Sequence, residues 1–489
     1  MSTSKTAPPG TAQLNPAVRP VLPLLTALLL AGCALAPTLI DSPPNPTVAA
    51  VVAEISAARI KAHVLQLVGF GTRHTLSDTA SPTRGIGAAR RWIESELRAC
   101  SAASGGRLLV AMDSHVAPAS ERMRAGTEIV NVVATLPGTD PAARERIFIV
   151  SGHYDSRASD VWDATADAPG ANDDASGTAA VIEMACVMAR HRFEATLVFM
   201  AVAGEEQGLL GADFWAARAR RDGLRIDGMI TNDIIGSPVG DAGQRDARQV
   251  RLFADGLTPL LRQALAATPA DAADATALDA TRRLLEAQVR TGGMADFGAN
   301  QLGRYLKETG ELHVPGFTIN LIQRPDRFLR GGDHLPFLNR GYAAVRFTEP
   351  FENFMRQHQN VRTEGGRLIG DLPEFVDFAY VADVARVNAA GLASLAQAPA
   401  APRNAQIETA ELSNNTTLRW DDGTESDVAN YRVLWRETSS PTWQGRRDVG
   451  RTTRVTLEGL SKDNLIFGVQ AVDRDGNASL ASYPLPSRR

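Results

Sequence analysis

Thr196-Leu197-Val198-Phe199-Met200-Ala201-Val202 is an unbroken run with only a threonine at its edge, and Ala203-Gly204-Glu205-Glu206-Gln207-Gly208 follows it at once. Such a run has the length of a strand buried on both faces, and residues 209–220 after the glycines read as a helix. The same unit recurs on either side. Residues 146–150 predict a buried strand that leads into Ser151-Gly152-His153-Tyr154-Asp155. Residues 228–231 predict a short one that leads into Asn232-Asp233-Ile234-Ile235-Gly236. Between the first two units, Gly170-Ala171-Asn172-Asp173-Asp174-Ala175-Ser176-Gly177 opens an apolar helix over 176–190. Further strands are predicted at 128–136, 250–253, 317–322 and 343–347. Residues 52–100 read as helical, with Ile86, Ala89, Ile93 and Leu97 on one face. Strands alternating with helices predict an α/β fold, a mixed-sheet αβα sandwich. Ligand sites in such sheets lie at the carboxyl ends of strands, and His153, Glu205, Glu206 and Asp233 all fall there.

These strand-end residues are metal-ligand types. Zinc takes imidazole nitrogen and carboxylate oxygen. His153 with Asp155 two residues on matches a ligand and the carboxylate that fixes its tautomer. Asp173 and Asp174 sit at a helix entrance. They read either as helix caps or as neighbouring carboxylates that repel unless a cation is present. Glu205 and Glu206 on extended backbone would point to opposite sides, one to a metal and one to the attacking water. Asp233 follows its short strand, and His358 stands late, in Arg356-Gln357-His358-Gln359-Asn360. Two His and three carboxylates are too few for two separate closed zinc sites, yet they suffice for two adjacent zincs if one carboxylate bridges them. That arrangement points to a hydrolase.

The bulk composition excludes other classes. The 489 residues, 44% hydrophobic and 22% charged with a net charge of −4, describe a globular protein of two or three domains. Lys and Arg are scattered, so no nucleic-acid partner is expected. There is no Walker-type phosphate loop, no G-x-S-x-G elbow and no H-E-x-x-H helix. At the N-terminus, Lys5 and Arg19 precede an apolar run over 21–30, short for a transmembrane helix and suited to a secretory h-region. Leu30-Ala31-Gly32-Cys33 resembles the bacterial lipobox. Residues 1–33 therefore read as a lipoprotein-type signal peptide with Cys33 as a lipid anchor to the membrane, or else as an ordinary secretion signal. Residues 34–51 read as a Pro-rich tether. The expected location is exported, in the periplasm or on the outer membrane. Cys100 and Cys186 fall in predicted helices and read as two buried free thiols, although an exported context permits a disulfide.

Residues 393–403 read as a linker, so that 52–398 form the catalytic domain. From 399 to 489 the apolar residues alternate with period two between turn signals, which predicts a small antiparallel β-sandwich. Trp420, Tyr431-x-Val433, Leu460 and Val469-x-Ala471-Val472-Asp473 before Gly476-Asn477 resemble a fibronectin type III module. It holds no catalytic cluster, so it reads as dispensable for chemistry and as a binder of a surface or protein partner.

Taken together, the five polar segments resemble the zinc-dependent exopeptidase family of bacterial leucyl aminopeptidases, over residues 55–398. The resemblance implies a di-zinc site. One zinc would take His153, Asp173 and Asp233, and the other Asp173, Glu206 and His358. Glu205 would be the general base and Asp155 the partner of His153. Gly332-Asp333-His334-Leu335-Pro336-Phe337 resembles the family's Asp-His-x-Pro-Phe segment near the substrate pocket. The implied activity is an aminopeptidase acting on peptides. The alternatives are a carboxypeptidase, for which Arg324, Arg327 and Arg330 could hold a substrate carboxylate, a glutaminyl cyclase of the same fold, or an inactive binding protein.

Overall fold

A computed structural model describes residues 45–266, 272–328 and 330–488. Cys33, the 1–33 signal segment and residues 34–44 of the tether lie outside them. The rest of the predicted tether is folded. Helix α1 (Pro46–Glu54) starts on an Asn45 cap, whose side chain accepts from the Thr47 and Val48 amides, with proline in the first turn. Val48, Val51 and Val52 of this helix are buried in the core. The helical stretch expected over 52–100 is α1 followed by α2 (Ala57–Val68) and α3 (Gly85–Ala103), with a loop between the last two.

Eight strands make one mixed sheet: β1 (Leu109–Ala117), β2 (Thr127–Leu136), β3 (Arg146–His153), β4 (Thr196–Val202), β5 (Arg225–Asn232), β6 (Gln249–Phe253), β7 (Thr318–Ile322) and β8 (Ala344–Thr348). Their order across the sheet is β1-β2-β4-β3-β5-β8-β6-β7. The neighbours β4, β3, β5 and β8 are mutually parallel, so their carboxyl ends share one edge. Every residue of β4 is buried, as its apolar run requires. β1 escaped the sequence reading because it is an edge strand, mostly exposed, with no apolar alternation.

The helices after α1–α3 are α4 (Ala175–Met188), α5 (Leu210–Arg221), α6 (Leu257–Ala266), α7 (Ala272–Arg290), α8 (Gly298–His313), α9 (Leu335–Leu338) and α10 (Phe378–Gln397). α4 packs on β3 and α5 on β2, while α7 meets β17 (Leu485–Ser487). Gly152 of β3 backs directly onto Gly177 and Thr178 of α4, where a Cβ would sit 2.6 Å from backbone atoms. Gly152 aligns with Ala201, which aligns with Val132. The next residue, Asn131, therefore faces the opposite side, where it donates to the Gly211 carbonyl of α5.

α3 and α4 are joined by a disulfide between Cys100 and Cys186, 86 residues apart, which corrects the expectation of free thiols. The two positions lie far apart in sequence and only helix packing brings them together. Replacing both cysteines by serine is expected to cost about 2–4 kcal/mol. A urea denaturation curve with a lower midpoint and a similar slope would register this; an unchanged midpoint would mean that the bond adds no stability.

A hairpin of β9 (Arg362–Glu364) and β10 (Arg367–Ile369) follows the central sheet. The C-terminal strands then form two sheets. One holds β11 (Gln406–Glu408), β12 (Thr416–Arg419), β15 (Arg454–Leu457) and β17 (Leu485–Ser487). The other holds β13 (Val428–Glu437), β14 (Gly445–Gly450) and β16 (Leu465–Asp473). Leu418, Trp420, Tyr431, Val433, Leu457, Phe467 and Val469 form the core between them. All described residues belong to one compact unit, and none of their helices is long and apolar enough to cross a membrane.

Candidate metal centre

His153 is the last residue of β3, Asp233 follows β5, and Glu205 and Glu206 follow β4. Because these strands are parallel neighbours, their side chains meet at one edge of the sheet. Asp173 comes from the turn before α4, and His358 from the loop between β8 and β9.

Two groups result. His153 Nε2 lies 3.1 Å from Asp173 Oδ1 and 3.7 Å from Asp233 Oδ1. His358 Nε2 lies 2.9 Å from Asp173 Oδ2 and 2.8 Å from Glu206 Oε1. Asp173 thus turns one oxygen to each group. In each trio, the ligand atoms lie within 4.8 Å of one another. His358 reaches its place with φ +53°, a region histidine enters more readily than most residues.

A second layer holds these groups. His153 Nδ1 donates to the Asp155 carbonyl at 3.1 Å, with Asp155 Oδ1 at 3.6 Å. That turns Nε2 toward the carboxylates of Asp173 and Asp233. Asp155 is itself held by Thr75 Oγ1 at 3.0 Å and by the Glu206 amide at 3.2 Å. Asp174 caps α4 through the Gly177 amide and also accepts from the His153 amide, so it organises backbone rather than joining either group. Asp371 accepts the amides of Asn172 and Asp173 at 2.8 and 2.7 Å. Arg346, fully buried, lies 3.0 Å from Asp233 Oδ2, and its other arm lies 3.1 Å from Asp326. Arg157 lies 3.1 Å from Glu206 Oε2, and its Nη2 lies 2.9 Å from His358 Nδ1. Sequence reasoning missed Arg157, Arg346 and Asp371. Their positions follow from tertiary packing, and no local pattern marks them.

Glu205 and Glu206 are separated by a turn, not by the strand pleat expected from sequence. Gly204 adopts φ +76°, after which the Gly208 and Leu209 amides both donate to the Glu205 carbonyl. Glu206 is buried toward His358, while Glu205 stays partly exposed and belongs to neither group. Asp333 is buried with both oxygens free of hydrogen bonds, and His334 is turned away onto the Pro325 carbonyl at 2.6 Å.

The electrostatics are those of a site with too much negative charge. Burial, reinforced by Asp233, Glu206 and Asp333, pushes Glu205 well above the usual carboxylate range against the pull of His153. Burial likewise lifts Asp333 to about 7, with Asp155 and Asp233 adding to it. Burial acts to lower both histidines, but the surrounding carboxylates outweigh it. They hold His153 well above its ordinary value and His358 at about 10. Asp173 is drawn well below its ordinary value: burial opposes this, and His358 and His153 prevail. Glu206 Oε1 is buried without a hydrogen bond despite its closeness to His358. Unsatisfied ligand atoms and surplus carboxylates are what divalent cations relieve, so the donor set fits zinc at both groups.

A model of peptidase family M28 matches residues 131–280. A protein of the fungus Leptosphaeria maculans described as "Probable zinc metalloprotease" is 47% identical, over 92% of this chain and 99% of that protein. A relative from Pyrenophora teres f. teres with the same description is 45% identical, over 92% of this chain and 89% of that one. The 448 residues aligned with the first relative cannot fit within residues 45–398, so the shared region extends into the C-terminal sheets. Among solved structures, LapA of Legionella pneumophila aligns with a TM-score of 0.47 at 16% identity, over 71% of this chain and 76% of that one. An aminopeptidase from Aneurinibacillus sp. strain AM-1 aligns with a TM-score of 0.46 at 14% identity, over 72% of this chain and 96% of that one. On the extent and identity of the curated matches, the chain belongs to peptidase family M28.

Proposed function

We propose that this chain is a zinc metallopeptidase of the aminopeptidase kind, holding two zincs at the two groups around Asp173. The observation that carries the reading is the division of one carboxylate, with Oδ1 toward His153 and Oδ2 toward His358. His153, Asp173 and Asp233 would hold one ion, and Asp173, Glu206 and His358 the other. When bound, the zincs supply Lewis acidity and a water acidified toward neutrality. Glu205 is the group left to move protons: its carboxylate takes one from the attacking water and delivers it to the leaving amine. Asp155 fixes the tautomer of His153, and Arg346 fixes the orientation of Asp233.

An amino- rather than carboxypeptidase is favoured by the fate of the arginines. Arg327 and Arg330 both pair with Glu352, at 3.1 and 2.7 Å, and Arg324 lies 4.3 Å from the Phe328 ring. Two of the three candidates for a substrate carboxylate are therefore already paired. Purified protein should contain about two zincs per chain. It should hydrolyse aminoacyl chromogenic substrates and spare their N-blocked forms. Preference for blocked substrates, or full activity in metal-free protein, would overturn the reading.

We also propose that the chain is exported, with lipidation at Cys33. The disulfide between Cys100 and Cys186 supports an oxidising compartment. Mass spectrometry of the mature N-terminus is the test, with an acylated Cys33 expected. The C-terminal sheets we read as a fibronectin type III-like module on the strength of the core that Trp420, Tyr431 and Val469 share.

A further inference from the structure

Tyr305, Glu308, Thr309 and Leu312 recur at helical spacing and share one face of α8. They form one wall of a cleft of about 180 Å³, and Leu434 of β13 and Trp443 stand on the opposite wall, from the C-terminal sheets. Small ligands bind in clefts of this kind, at the seam of two bodies, with an apolar lining and a few polar groups. None of the lining residues belongs to either metal-binding group, so the cleft is a separate place in the molecule.

The chemistry of the cleft centres on Glu308. Its carboxylate accepts from the Trp443 amide at 3.3 Å, and among the described residues it stands in no ion pair. The neighbouring cations of α8 are engaged elsewhere. Lys307 holds Glu311 at 2.5 Å and the Ile319 carbonyl at 2.8 Å. Arg304 holds Asp296 at 3.3 Å and the Gln301 side chain at 2.9 Å. Arg432, also in the lining, spends two bonds on Asp448. Burial lifts Glu308 to about 7, against the pull of Arg304. A carboxylate so placed repels an anion and is best served by a cation that brings hydrogen-bond donors. An ammonium has three donors and no acceptor. Leu312, Leu434 and Trp443 offer carbon surface beside it. A cavity of about 150 Å³ takes one benzene ring, so this cleft has room for one ring or a short branched chain.

We propose that this cleft binds a small primary ammonium with an apolar side group, its ammonium on Glu308 and its apolar part against Leu312, Leu434 and Trp443. Free amino acids and simple amines both present that chemistry. One wall belongs to the peptidase and the other to the C-terminal sheets, so a bound ligand braces the two against each other and stabilises the folded chain by mass action. The metal centre plays no part in this binding.

The test is urea unfolding of the full-length protein in equal concentrations of 2-phenylethylammonium chloride, L-phenylalanine or sodium 3-phenylpropionate. The ammonium probe should raise the midpoint. The propionate, which lacks the ammonium, should not. Calorimetric titration of the ammonium probe should show its affinity lowered about tenfold or more by Glu308→Gln, the worth of a hydrogen bond to a charged group. Thr309→Phe, which keeps the carboxylate and fills the cleft, should lower it likewise. A shift with L-phenylalanine as large as with the amine would make free amino acids the ligand, and a smaller one would make it a simple amine. No shift with the ammonium probe, or an equal shift with the propionate, would overturn the proposal. Affinity undiminished in both variants would also overturn it, by placing the probe at another site.

Discussion

Glu205→Gln is expected to slow turnover by roughly 10²–10⁴-fold, the usual contribution of a positioned general base, while both zincs stay bound. The drop corresponds to about 3–5 kcal/mol of barrier. Glutamine keeps the size and shape of the side chain and loses only the capacity to take a proton. Metal content should hold because Glu205 belongs to neither ligand group. The Gly204 turn gives it a partly exposed position beside a buried neighbour. Glu206→Gln should act differently. That residue faces His358 at 2.8 Å with an otherwise unsatisfied oxygen, so its loss should weaken one zinc along with turnover. Substrate affinity should change little in Glu205→Gln. If Glu205→Gln loses metal while Glu206→Gln keeps both ions, the roles are reversed; if neither slows hydrolysis, the chemistry lies elsewhere.

The ligand residues could be picked out in the sequence because each sits where a local pattern ends. An apolar run of strand length delivers the next polar residue to the sheet edge, and β3, β4 and β5 do this in turn for His153, for Glu205 and Glu206, and for Asp233. Asp173 was visible because an apolar helix follows it. His358 had no such frame: its flanking residues form a loop, and the resemblance to a family was its only signal. What surrounds the ligands was not legible at all. Arg157, Arg346 and Asp371 act through partners about 50 to 200 residues away, and an isolated arginine or aspartate is by default a solvated charge. The pairing of Cys100 with Cys186 was hidden for the same reason. The Glu205–Glu206 pair was read as pointing two ways, but for a pleat that the turn replaces.

The relation between the C-terminal sheets and the peptidase was the largest thing that sequence periodicity concealed. A linker and a separate module suggested a part that could be removed. Yet the junction contains buried charge. Asp296, just before α8, lies 3.3 Å from Arg304 on that helix and 2.5 Å from Arg436 on β13. All three side chains are buried. Arg304 also donates to the Pro441 carbonyl at 2.8 Å, and both arginines lie within 6 Å of the Trp443 ring. A second buried pair, Arg146 with Glu425 at 3.2 Å, ties the start of β3 to the loop between β12 and β13.

Asp296→Ala is accordingly expected to destabilise the protein by about 3–5 kcal/mol, because it strands two guanidinium groups away from water without their counter-charge. The cost should fall when one stranded charge is removed as well. Asp296→Ala combined with Arg436→Met should be more stable than Asp296→Ala alone, since the long apolar side chain of methionine refills the space over Trp443. Urea unfolding of the three proteins measures this directly. If the sheets and the peptidase unfold as one body, all three proteins show a single transition, displaced in the two variants. Loss of only the C-terminal signal at low urea, with zinc content intact, would instead mean that the junction breaks without opening the peptidase. A nearly neutral Asp296→Ala would mean that water reaches the two arginines and that the buried pair does not hold the halves together.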